Sequence, residues 1–155
     1  MKKIIYLAPL FFLFIFQACS WQESFVITNQ TSADIIIEYE ILSPETGFGI
    51  FDAHPSSYAL NTSNSIDWNK QADALDQDTA KYIVKIVLPP KKALIIGQLS
   101  NDHYKSHDQY FINGRTFNLK KLKIQNDKTV IEISSENFDT YFSKKEGAIT
   151  LRIKK

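Results

Sequence analysis

The chain of 155 residues, 44% apolar and 23% charged with a formal net charge of +1, has the make-up of one folded domain, not of two domains or a disordered segment. That near-neutral balance does not support a nucleic-acid binder, which usually needs a concentrated basic face to replace phosphate counterions, and a single cysteine excludes an internal disulfide. Eleven Phe, seven Tyr and two Trp against five Gly and one Met favour strands, because aromatic side chains suit a pleated surface.

The first element is apolar. Lys2 and Lys3 precede an uncharged run, Ile4 to Phe16, which as a helix spans roughly 20 Å and falls short of the ~30 Å hydrocarbon core. Pro9 would also kink it. A positive start, a short apolar block and the small residue Ala18 before Cys19 read as an N-terminal signal helix over 1–18. The stretch "FQACS", Phe16 to Ser20, resembles the lipobox of bacterial lipoproteins. That resemblance implies a diacylglyceryl group on the thiol of Cys19, cleavage just before it, and a lipidated tether over 19–24. Loss of Lys2 and Lys3 with that segment, which holds no Asp or Glu, leaves a net charge of −1. Ser20 lacks the Asp that resembles an inner-membrane retention signal, and "SWQES" lacks the acidic run that resembles a surface-export tag. The implied address is the outer membrane, facing the periplasm. A catalytic thiol is disfavoured, since no His or basic residue near Cys19 would lower its pKa.

Residues 25–155 read as one β domain. Phe25 to Thr28 is a short strand ending in the polar turn Asn29-Gln30-Thr31-Ser32. Asp34 to Leu42 places Ile35, Ile37, Tyr39 and Ile41 on one face and Glu38 and Glu40 on the other. Phe51 to Ala80, rich in Asn, Ser, Asp and Gln, reads as a long connection with a strand near Ser65 to Trp68 and a helical turn near Gln71 to Leu75. Tyr82 to Leu88 aligns Tyr82, Val84, Ile86 and Leu88, and Pro89-Pro90 ends it. Ala93 to Leu99 is apolar on both faces and therefore central. "FNLKKLKIQNDKTVIEIS" is a hairpin turning at Gln125 to Lys128. Its first strand changes parity between Leu119 and Leu122, which predicts a β-bulge at Lys120-Lys121. Asn137 to Lys145 reads as a short turn or helix, and Ala148 to Ile153 as a last strand with Ile149, Leu151 and Ile153 inward. The predicted fold is all-β, an antiparallel two-sheet sandwich of immunoglobulin-like type.

Few residues offer chemistry. Asp102, His103 and His107 in "NDHYKSHDQY" are weak metal candidates, because His-x-x-x-His converges only on a helix and this segment reads as a loop. Asp52 and His54 are separated by one residue and followed by Pro55. No Gly-x-Ser-x-Gly elbow, phosphate-cradling glycine loop or Cys-x-x-Cys pair occurs. The reading is therefore not an enzyme and has no cofactor. Tyr58, Trp68, Tyr104 and Tyr110, placed in or beside connections, are the candidate ligand-binding residues, since aromatic rings supply rigid contact area. Phe48 and Phe51 also lie there. Arg115, Lys120, Lys121 and Lys123 read as the wet face of an edge strand. The sequence thus predicts a lipid-anchored binding module whose partner is an envelope protein or glycan. The alternatives are a periplasmic metal-dependent or hydrolytic enzyme using the 102–108 loop, and a structural subunit of an envelope complex.

Overall fold

The structure, a computed structural model, describes residues 20–44, 47–71, 75, 77–80, 82–127, 129–145 and 147–154. The expected signal segment 1–18 and Cys19 lie outside the described residues, as does most of the helical turn expected at 71–75. The elements in chain order are β1 (Gln22–Asn29), β2 (Ile35–Ile41), β3 (Phe48–Gly49), β4 (Phe51–Leu60), β5 (Ile66–Gln71), β6 (Gln77–Ala80) and β7 (Ile83–Leu88). They continue with β8 (Lys92–Ser100), β9 (Arg115–Thr116), β10 (Leu119–Gln125), β11 (Val130–Ser134), α1 (Phe138–Tyr141), β12 (Ser143–Lys145) and β13 (Ala148–Ile153). The protein is mostly β. Among the described residues no helix is long and apolar enough to cross a membrane.

A six-stranded sheet runs β12-β13-β1-β8-β4-β5, a five-stranded sheet runs β11-β10-β2-β7-β6, and β3 with β9 forms a small third sheet. Strand alternation sends one face of each larger sheet into a single buried cluster. Phe25 and Ile27 of β1 and Leu94 of β8 share it with Ile37 of β2, Ile86 of β7 and Leu122 of β10. The predicted inward sets are buried: Ile35, Ile37, Tyr39 and Ile41; Val84, Ile86 and Leu88; Ile149, Leu151 and Ile153. Tyr82 is the exception, lying before β7 at φ +70° with its side chain exposed. β8 is central, between β1 and β4. The register of β10 on β2 shifts between Leu119 and Lys121, which is the bulge expected at Lys120-Lys121.

Three expectations are corrected. Pairing is not antiparallel throughout, because β1 lies parallel to β13 and β3 parallel to β9. The turn through Gly147, at φ +78°, brings β13 in beside β1 in the same direction, so the domain's two termini leave opposite ends of that sheet. β10 is not an edge strand: it sits between β11 and β2. Residues 51–80 are not one long loop, since they hold β4, β5 and β6.

The strand β4 hides in the sequence because it is interrupted. Phe51 pairs with Gly97, and the next paired residue, Ser56, faces Ile95. Residues 52–55 therefore bulge from the ladder, and a bulge accommodates Pro55, which has no amide hydrogen to donate. Gly97 makes the crossing possible, since a Cβ there would stand 2.6 Å from the Ile50 carbonyl oxygen. The first strand also starts earlier than expected. Gln22, Glu23 and Ser24 belong to β1, with Glu23 and Ser24 buried, which leaves only Ser20 and Trp21 of the expected tether outside a strand among the described residues.

Candidate functional site

The outward side of the six-stranded sheet is not an ordinary wet face. Parity along β8 sends Leu94 and Ile96 to the shared core, and Ala93 and Ile95 the other way. Yet Ala93 and Ile95 are 0% and 4% exposed, and they form a second apolar cluster with Val26 and Leu60. Tyr58 and Ile66 pack against that cluster. Tyr58 pairs with Gln71 whereas Ala59 pairs with Asp67, so residues 68–70 bulge from the β4–β5 ladder. Trp68, on that bulge, lies against Tyr58 with ring centroids 5.4 Å apart. The turn between β4 and β5 is organised by Asn61. Its Oδ1 accepts from the backbone N–H groups of Ser63 and Ser65 at 2.9 and 3.0 Å, and Asn64 follows at φ +59°. Lys91 Nζ donates to Asn64 Oδ1 at 2.8 Å and ties this turn to the one that precedes β8.

Between that hairpin and β13 runs an open groove of ≈ 440 Å³. Ala148, Thr150, Arg152 and Lys154 line it from the β13 side, with Thr28 and Gln30 contributed by β1 and the residue after it. Ser63 to Ile66 and Trp68 stand on the hairpin side. Six residue steps of extended chain separate Ala148 from Lys154, so the groove follows the strand for roughly 20 Å. Lys145, opposite Ala148 in the β12–β13 pair, also lines it. The described lining thus carries three basic side chains, Lys145, Arg152 and Lys154, and no carboxylate. Trp68 keeps 55% of its surface in solvent.

The start of β1 carries a different assembly. Glu23 is 3% exposed on the inward face. Lys144 Nζ donates to its Oε1 at 2.7 Å, His103 Nδ1 lies 2.9 Å from the same oxygen, and the Tyr104 N–H donates to Oε2 at 2.9 Å. Burial alone would push this carboxyl up. Lys144, His103 and the Tyr104 amide together outweigh burial and hold Glu23 below the usual carboxylate range. Asp139 of α1 is the second centre. It accepts from the Tyr104 hydroxyl at 2.5 Å and the His107 N–H at 3.2 Å, and His107 Nδ1 is 2.9 Å away. Burial opposes these partners there too, and they hold Asp139 low. Burial first and then Asp139 push the Tyr104 hydroxyl above its ordinary value. Trp21 stacks on His103 with centroids 4.9 Å apart, and its indole N–H donates to the Asp102 carbonyl at 3.4 Å. These bonds turn inward on one another and clamp the 101–114 loop and α1 to the beginning of β1.

The predicted site residues separate accordingly. Tyr58 and Trp68 come together, and Trp68 lines the groove while Tyr58 packs behind it on the second apolar cluster. Tyr104, expected as an exposed aromatic, is 5% exposed: its ring meets Phe25 edge-on at 5.0 Å and its hydroxyl is taken by Asp139. Tyr110 is 89% exposed but is not part of the groove lining. The Asp102 carboxylate accepts the backbone N–H groups of His103 and Ile112, at 2.7 and 2.9 Å. His103 and His107 face different carboxylates, and among the described residues no group of three His, Cys, Asp or Glu gathers in a way that could hold a metal ion. The Asp52 carboxylate caps the His54 backbone N–H at 2.8 Å within the β4 bulge. Phe51 is buried, whereas Phe48 is exposed beneath the Arg115 guanidinium at 5.6 Å. Lys120 and Lys121 pair with Glu40 and Glu132.

Sequence reasoning missed Glu23, Lys144 and Asp139, because residues distant in the chain carry no local pattern. It also missed Arg152 and Lys154, which were legible: they alternate with the inward Leu151 and Ile153 and must face out. No protein-family model, curated protein or solved structure matches this chain.

Proposed function

We propose that this chain is a lipid-anchored protein of the bacterial cell envelope, fastened through Cys19, whose domain is an immunoglobulin-like two-sheet sandwich that binds an envelope component through the groove between β5 and β13. The observation that carries the binding half is the half-exposed Trp68, held in place by Tyr58 beside a groove over the interior strands of the sheet. A surface tryptophan that packing fixes on one side presents rigid contact area on the other at little entropic cost. Backbone groups beneath it are already paired within the ladder, so recognition falls to the side chains of the groove.

The anchoring half rests on "FQACS" and on the early start of β1. Acyl chains on Cys19, at about 0.8 kcal/mol per buried methylene, hold a domain at the bilayer almost permanently. Only Ser20 and Trp21 separate Cys19 from β1, and Trp21 is stacked on His103. The first strand then leads away from the lipid surface, and the Lys154 end of the groove is displayed to the periplasm.

Two measurements test this reading. Labelled palmitate is expected in the wild type and absent from Cys19→Ser; equal labelling of both defeats the anchor. A photo-crosslinking residue at position 68 is expected to capture an envelope component in intact cells, whereas the same residue at position 85, on the other sheet, is not. Equal capture at both positions defeats the groove.

A further inference from the structure

The groove's chemistry narrows its occupant, and this step rests on the groove being the binding surface proposed above. We infer that it takes an acidic oligosaccharide, with the uncharged face of a sugar ring on Trp68 and its acidic groups directed to Arg152 and Lys154.

Three features of the lining lead there. The first is charge. Arg152 and Lys154 line the groove, and no carboxylate is among the described lining residues. Arg152 Nη1 spends one hydrogen on Ser143 Oγ, at 3.3 Å, and a guanidinium has five, so it is oriented and still able to donate. The positive charge is local, since the whole chain carries a formal net charge of only +1. The second feature is the polar remainder. Thr28, Gln30, Ser63, Asn64 and Thr150 supply hydroxyl and amide groups, which both donate and accept and so match sugar hydroxyls. A peptide ligand would call instead for apolar side-chain pockets or an open ladder edge. The floor has no such edge, since β1 and β13 are hydrogen-bonded to each other and to their outer neighbours; the free edge on the Trp68 side of the groove is that of β5, whose exposed residues are mostly polar.

The third feature is shape. The volume of ≈ 440 Å³ lies within the ordinary range for small-ligand sites, about 300–1,000 Å³. Its elongation along β13 suits a chain of rings better than a single ring. Arg152 on β13 and Lys154 just past its end are two residues apart on the outward side, so the two cations match more than one acidic group. Trp68 supplies the flat surface that the carbon–hydrogen face of a sugar ring covers.

The test titrates the full chain, in detergent, with tetragalacturonate, with its neutral methyl ester and with inorganic phosphate. The acid is expected to bind and to weaken as salt rises. The ester should bind at least about tenfold more weakly, and Arg152→Gln or Lys154→Gln should each weaken the acid by about tenfold. Trp68→Ala should abolish binding. These side chains are at the surface, so the variants keep the fold, which a thermal melt verifies. Equal binding of acid and ester, indifference to both charge substitutions, or phosphate competing as well as the tetramer would each overturn the inference. If no saccharide binds while position 68 still captures an envelope component in cells, the occupant is of another class and only this inference fails. If capture at position 68 fails as well, the groove reading falls with it.

Discussion

The two larger sheets share one core but treat their outer faces in opposite ways. On the five-stranded sheet, strand register lines up Glu132, Lys123, Glu38 and Lys85 across β11, β10, β2 and β7, alternating in sign. Beside that row lie Ile36 and Val87, directly opposite each other and 37% and 41% exposed. On the six-stranded sheet the corresponding outward row is Arg152, Thr28, Ala93 and Tyr58, across β13, β1, β8 and β4. There Thr28 and Ala93 are buried and the charge is of one sign. Compensated charge on an open ladder keeps a face soluble and discourages pairing with other chains. Charge of one sign beside a covered apolar cluster is the feature on which the proposed binding role rests. The difference lies in β5, which the second sheet has no counterpart to among the described residues.

The largest effect expected from this contrast is on stability. Ile95 and Val87 both point outward, yet Ile95→Ala should cost about 2–4 kcal/mol, as in a core, while Val87→Ala should stay within about 0.5 kcal/mol. Urea midpoints of the two variants measure this directly. Comparable small losses would mean that the hairpin does not cover the six-stranded sheet, and the groove would lose its wall.

That asymmetry was only half legible in the sequence. Period-two alternation exposed the inward residues of β2, β7 and β13, and the parity change at Lys120-Lys121 located the bulge, because local patterns encode both. β4 and β5 were opaque. The β4 ladder is broken by four unpaired residues around Pro55, and β5, "IDWNKQ", is an edge strand whose polar composition mimics a loop. Tyr58 and Trp68 were picked out as aromatics, but their meeting depends on a register shift that no spacing reveals. Tyr104 misled for the complementary reason: a tyrosine in a polar loop looks exposed until a distant Asp139 accepts its hydroxyl.

Acid separates the sheets in a second way. Glu23, at the tether end of the six-stranded sheet, has a depressed folded-state pKa. Its contribution is therefore present above the unfolded value, near 4.5, and is lost as pH falls through the lower folded value. Because Lys144 and His103 are 39% and 62% exposed, their pairing is partly screened. Glu23→Gln should cost about 1–2 kcal/mol at pH 7. The variant should also lose part of the acid-induced drop in Tm below pH 4.5 that is expected of the wild type. An unchanged acid limb would mean that the clamp does not hold the 101–114 loop and α1 in the way its distances imply.

The smallest effect is expected on the charge ladder, and it is the one that separates stability from binding. Lys123 lies opposite Glu132 on one side and Glu38 on the other, so Lys123→Glu places like charges in a row. Like charges directly opposite should cost about 0.5–1 kcal/mol, and at an exposed face that loss should fade as salt rises. Capture at position 68 should be untouched. Arg152→Gln should behave in the reverse manner, leaving Tm unchanged and weakening the groove, since its side chain is exposed and opposite Thr28. A Lys123→Glu variant that melts normally at low salt would show the ladder to be energetically idle. One that lost capture at position 68 would show that the two outer faces are not independent, and the division between a solubilising face and a binding face would have to be abandoned.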